Sequence, residues 1–136
     1  MSMRVYLDSA PVIYLVENAA PYTAILVKRL SAADTFQVCC DLTRLECRVK
    51  PMKDNDTVLL GGFDTYFADF VTDIVPLSTQ VIDEATKLRA RYGFKTPDAI
   101  HLAAAIIGKC DLFMTNDHQL QRCKEIAVEV VTSTTT

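Results

Sequence analysis

Four acidic residues, Asp8, Glu46, Asp98 and Asp117, fall where predicted strands end or where helices open at the same end of one sheet. In an open α/β sheet, ligands bind outside the carboxyl ends of the strands, where the connecting loops converge. Carboxylates gathered there repel one another unless a cation neutralises them or some take up protons. Hard cations such as Mg²⁺ accept oxygen ligands of this kind and keep several waters. Phosphodiester hydrolysis suits such a cluster. It needs an activated water, charge relief at the phosphoryl oxygens and a stabilised leaving oxygen, and one or two Mg²⁺ or Mn²⁺ ions supply all three. In this reading Asp8, Asp98 and Asp117 are ligands, directly or through water. Glu46, carried on a helix, orients or deprotonates the water or holds a second ion.

Each acid taken alone also has a structural explanation. Asp98 in a first helical turn complements the helix dipole. Glu46 closes a capping box with Thr43. Asp117, or Asn116 before it, starts a short helix as its cap. Asp8 ends a strand and turns the chain. What favours chemistry is the joint placement of all four at one edge. No Ser-His-Asp or Cys-His arrangement competes, and there is no glycine-rich phosphate loop. His101 lies three residues after Asp98 on a similar helix face and reads as a satisfied, partly buried histidine rather than a catalytic base. Arg44, Arg48, Lys50 and Lys53 form either a phosphate-contacting rim beside Glu46 or a solvated helix face.

The elements that must position these residues alternate. Met3 to Leu7 is a continuous apolar strand ending at Asp8, followed by a helix with Pro11 in its first turn. Pro21 opens a second amphipathic helix. Phe36 to Cys40 is the second strand, Asp41 caps the next helix, and Asp54 to Phe70 reads as a longer one containing Gly61-Gly62. A third strand centres on Ile74 and Val75. Ser78 starts a helix that Gly93 stops. The segment TPDAIHLAAAIIGKC is a helix capped at Thr96, with Pro97 in its first turn, apolar nearly all round and so buried. DLFMT and IAVEVV are the last two strands, with a short helix between. Such alternation implies a parallel sheet with helices on both faces. Residues 1–131 form one domain in this reading, and 132–136 a frayed tail.

At 136 residues, half of them hydrophobic and 23% charged, the chain is long enough for one core and too apolar for disorder. A net charge of −3 gives no global basic field for nucleic acid. Five cysteines in apolar runs, an odd number, suit reduced thiols in a cytoplasmic protein. They lack paired zinc-ligand spacing. The start MSMRVYLDS carries no signal-type apolar region.

Four segments carry a resemblance: YLDS (Tyr6 to Ser9), TRLE (Thr43 to Glu46), KTPDAIHLAAA (Lys95 to Ala105) and FMTND (Phe113 to Asp117). In order and separation they resemble the PIN-domain ribonucleases, and among these the VapC-like toxins of toxin–antitoxin pairs. The resemblance covers essentially the whole chain. It implies a PIN-like α/β/α sandwich around a mostly parallel five-stranded sheet, and a Mg²⁺-dependent endoribonuclease paired with an antitoxin. It also implies that Asp8, Glu46, Asp98 and Asp117 form the metal-binding and catalytic set, that Thr115 supports it, and that the protein is a homodimer. Tyr14, Val16, Tyr22 and Leu26 lie on the two helices that in similar toxins form the antitoxin groove or dimer contact. Ala10 departs from the family, where a polar residue is frequent; Ser9 supplies a nearby hydroxyl instead. Ala10 also disfavours a phosphatase with an Asp8 nucleophile, which would carry a second aspartate there. A PIN nuclease of general RNA processing and a non-catalytic RNA-binding module are the remaining alternatives, the latter disfavoured by the presence of all four acids.

Overall fold

The computed structural model describes residues 2–132. Five strands, β1 (Met3–Leu7), β2 (Thr35–Cys40), β3 (Val71–Val75), β4 (Leu112–Thr115) and β5 (Ala127–Val130), form one sheet in the order β3-β2-β1-β4-β5. Every pairing is parallel, so the sheet is parallel throughout rather than mostly so. The strands are connected through α1 (Ser9–Glu17), α2 (Tyr22–Leu30), α3 (Asp41–Lys53), α4 (Thr57–Asp69), α5 (Thr79–Tyr92), α6 (Thr96–Ile107) and a 3₁₀ turn at His118–Arg122.

The strands are continuous apolar runs because both sheet faces are covered. Alternate side chains divide between two cores. Tyr6, Val38, Cys40 and Phe113 pack with Leu88 of α5 and Leu102 of α6. Val5, Leu7, Cys39 and Met114 pack on the other face with Val12, Leu26 and Phe63 of α1, α2 and α4. The register sets Tyr6 opposite Val38 on one side and Phe113 on the other. The Tyr6 and Phe113 rings stack at 5.2 Å. Helix α6 is buried as its composition requires, with Ala99 and Leu102 to Ala105 fully enclosed. All five cysteines are free, four of them buried. Among the described residues no single helix is long and apolar enough to cross a membrane.

Several helix ends differ from expectation. The helix expected from Asp54 starts instead at Thr57, because α3 runs on through Pro51 to Lys53. Asn55 then turns the chain with a left-handed φ of 54°. Asp56 caps α4 by accepting from Leu59 N at 3.0 Å, and Gly61-Gly62 leave that helix unbroken. Pro21 sits at the cap position of α2 rather than inside it. Lys95, not Thr96, holds the cap position of α6, and its side chain makes no capping bond. The capping box in α3 is shifted by one turn: Asp41 is already helical, Cys40 is the cap, and Thr43 Oγ1 accepts from Cys40 N at 3.3 Å. Glu46 is thereby released from capping. Beyond Thr132, the expected tail lies outside the described residues.

Candidate active site

Strand order reverses between β1 and β4, since the chain goes from β1 to β2 on one side and from β4 to β5 on the other. At such a reversal a crevice forms outside the carboxyl ends of the strands. Asp8 follows β1 directly, and Thr115 closes β4 two residues before Asp117. Helix α6 brings Asp98 in its first turn, and α3, leaving β2, brings Glu46.

Asp8 is held from two sides. Its Oδ1 accepts from Ser9 N at 2.9 Å, capping α1, and its Oδ2 accepts from Thr115 Oγ1 at 2.8 Å. The buried Thr115 hydroxyl also accepts from Asp117 N at 3.1 Å, tying two acids to one strand end. Asp117 caps the following 3₁₀ turn through Gln119 N at 2.9 Å. The structural roles foreseen for Asp8 and Asp117 thus coexist with their place at the crevice.

Glu46 Oε1 accepts from Ser9 Oγ and from His101 Nε2, both at 2.6 Å. His101 Nε2 lies 3.5 Å from Asp8 Oδ1, while Nδ1 lies 2.7 Å from the Tyr6 hydroxyl and 3.9 Å from Cys40 Sγ. The imidazole is 1% exposed, so it is fully rather than partly buried, and its partners belong to the acid cluster. Burial works to lower its pKa. The bonds to Cys40 and Glu46 and the charge of Asp8 outweigh that and push it up to about 10. A protonated ring donates from both nitrogens, to Glu46 and to Tyr6. His101 is therefore a built-in cation beside the acids.

Asp98 shows how far that compensation falls short. Burial, then the charges of Asp8 and Asp117, raise its pKa; His101 and Lys95 oppose the rise. The charges of Asp8 and Asp117 thus reach Asp98. Glu46 goes the other way: burial pushes its pKa up, but the bonds from His101 and Ser9 hold it below the ordinary value.

Donor atoms of Asp8, Glu46 and His101 lie within 4.8 Å of one another. With Nε2–H donating to Glu46, the imidazole is not free to ligate, which leaves carboxylate oxygens as donors. Such a donor set fits a hard divalent cation, and the repulsion felt by Asp98 is what that cation would relieve.

Other candidates point elsewhere. Asn116 Nδ2 donates to the Tyr14 hydroxyl of α1 at 3.1 Å. The Arg44 guanidinium lies 5.9 Å over the Phe67 ring, and Arg48 Nε lies 2.9 Å from Asp64 Oδ1, so both turn onto α4. Lys50 and Lys53 are exposed further along α3. Sequence reasoning missed the participation of His101, Tyr6 and Thr43. The one available signal was the spacing of His101 from Asp98.

A parallel α/β sheet with an acidic crevice at its switch point defines the class. The PIN domain model matches residues 5–126, and the chain belongs to the PIN domain family. Similar solved structures include VapBC2 from Rickettsia felis bound to a promoter DNA fragment, with TM-score 0.78, 13% identity, and 94% of this chain and 98% of that one covered. DNA-bound VapBC from Salmonella typhimurium gives TM-score 0.71 at 15% identity, covering 96% and 99%. VapC20 of Mycobacterium tuberculosis, a toxin that cleaves the sarcin-ricin loop, gives 0.69 at 11% identity, covering 87% and 93%. At these identities the likeness is one of fold. No curated protein sequence matches significantly.

Proposed function

We propose that this protein is a metal-dependent endoribonuclease hydrolysing RNA phosphodiester bonds, and the toxin of a type II toxin–antitoxin pair acting in the cytoplasm. The observation that carries the reading is the cluster of Asp8, Glu46 and His101 at the switch point, with the pKa of Asp98 raised by burial and then by Asp8 and Asp117. Asp8, Asp98 and Asp117, with Glu46, would hold one or two Mg²⁺ or Mn²⁺ ions. Bound there, the metal supplies Lewis acidity and a water of lowered pKa.

The chain's own part is positioning and proton handling. Ser9 N and Thr115 Oγ1 fix the carboxylate of Asp8. Glu46, kept ionised by His101 and Ser9, is the base that accepts the proton of the attacking water. His101, locked between Glu46 and Tyr6, sets the orientation of that base.

The partner reading rests on a cleft of about 590 Å³ between α1, α2 and α4, lined by Leu15, Val16, Val27, Leu30, Tyr66 and Phe70. An amphipathic antitoxin segment suits an apolar groove of this kind. The solved neighbours from Rickettsia felis and Salmonella typhimurium are themselves VapBC complexes. The homodimer that the resemblance implies would use the exposed stripe Leu45, Val49 and Met52 on α3; sedimentation that gives only monomer removes it.

The test is incubation of the pure protein with structured RNAs in Mg²⁺, in Mn²⁺ and in chelator. Cleavage is expected with metal and lost in chelator; undiminished cleavage in chelator contradicts the mechanism.

A further inference from the structure

An acidic cluster repels the polyanion it is meant to cut, so an RNA phosphate needs a cation at the rim to approach it. Four arginines are held in ion pairs. Arg4 is paired with Asp73, Arg29 with Glu129, Arg48 with Asp64 and Arg91 with Glu125. Arg44 turns onto Phe67 of α4, and Arg89 lies on α5, so neither is on the turns that carry Asp98 and Asp117. Among the described residues Lys50 and Lys53 form no ion pair, but they lie one and two turns beyond Glu46, roughly 6 and 10 Å further along the α3 axis at 1.5 Å per residue. That axis leads away from the carboxyl edge, because α3 starts directly after β2.

Lys95 is placed differently. It occupies the cap position of α6, one turn before Asp98, and its carbonyl accepts from Ala99 N at 2.9 Å, which fixes its backbone on that turn. Its side chain is exposed, makes no capping bond and forms no ion pair among the described residues. Its neighbour Phe94 is buried, and the Arg122 guanidinium stacks over that ring at 4.9 Å while donating to the Tyr92 carbonyl. Arg122 ends the 3₁₀ turn that Asp117 begins. The loop before Asp98 and the turn after Asp117 are therefore joined at Phe94, with one cation on each.

We propose that Lys95 seats the RNA phosphate at the mouth of the acid cluster and that Arg122 continues the phosphate track across Phe94, so that the basic rim lies on the α6 side rather than along α3. This rests on the ribonuclease reading above. Lys95 is a positioning residue, acting on substrate placement and not on the proton transfers.

The experiment compares wild type, Lys95→Ala, Lys95→Arg and Arg122→Ala, with Lys87→Ala on α5 as control. Steady-state cleavage of a single-stranded oligoribonucleotide is read in Mg²⁺, and binding of the same oligonucleotide is read by anisotropy over a salt series with Ca²⁺ in place of Mg²⁺. For Lys95→Ala, KM should rise roughly tenfold with kcat within twofold, as loss of one charged contact predicts. The slope of log affinity against log salt should flatten by about 0.7, one phosphate's share on a single strand. Lys95→Arg should restore both, Arg122→Ala should give a smaller change of the same kind, and Lys87→Ala should give neither. Unfolding temperatures equal to wild type separate this from a folding effect. An active wild type whose Lys95→Ala variant keeps both KM and salt slope overturns the assignment of Lys95. A wild type that neither binds nor cleaves RNA overturns instead the reading on which it rests.

Discussion

At the scale of single residues, His101 carries the least expected consequence. Its raised pKa, about 10 against an ordinary 6.5, means the folded protein holds a proton that the unfolded chain gives up sooner. The stabilisation this contributes is full below about pH 6.5. It declines as pH rises and is gone once pH passes the folded value. Thermal unfolding in chelator should therefore show stability falling from neutral to alkaline pH. His101→Gln should flatten that decline and cost about 1–3 kcal/mol at neutral pH, because the Tyr6 hydroxyl and Glu46 lose a charged partner in a buried setting. Parallel pH profiles for the two proteins would remove the imidazolium from the account. The sequence shows His101 one turn after Asp98 but not its partners, since Glu46 lies 55 positions away and their contact depends on how α3 crosses α6.

Among the elements, strand and helix types were readable from apolar runs and periodicity, and so were the ends of α5, where Ser78 and Gly93 are the caps; the starts of α3, α4 and α6 were not. Thr96 has the side chain of a cap, yet the chain enters α6 one residue earlier, at Lys95. Thr43 and Glu46 have capping-box spacing, yet Cys40 is the cap, and Glu46 is left facing the crevice. In both cases tertiary placement of the helix overrides a local preference worth only about 1 kcal/mol. The cleft between α1, α2 and α4 was foreshadowed by Val16 on α1, while its α4 wall, including Tyr66 and Phe70, was not. Val27, 52% exposed, lines it. Val27→Glu should cost the fold little, within about 0.5 kcal/mol for an exposed site, and leave RNA cleavage intact. It should weaken binding of the proposed antitoxin by at least about tenfold, since binding would bury an unpaired charge. Undiminished capture by the variant would place the partner on another surface.

Across the whole molecule, the parallel order β3-β2-β1-β4-β5 sets the ends of β1 and β4 side by side, where Thr115 holds Asp8 and where Asp8, Glu46 and His101 cluster. A net charge of −3 gives no global basic field, and such a sum does not report local charge. The central claim is that this crevice is a metal-dependent phosphodiesterase site, and Asp98 tests it most directly. Burial and two acidic neighbours already disfavour its ionised form, so Asp98→Asn removes a repelling charge while keeping the shape. Without metal the variant should be as stable as wild type or more so, which is the reverse of the loss expected if Asp98 only complemented the α6 dipole. The decisive measurement is the rate of RNA cleavage by Asp98→Asn in Mg²⁺, relative to wild type. Loss of several kcal/mol of charge stabilisation corresponds to a fall of about 100-fold or more. A folded Asp98→Asn protein that cleaves RNA at the wild-type rate would contradict the account.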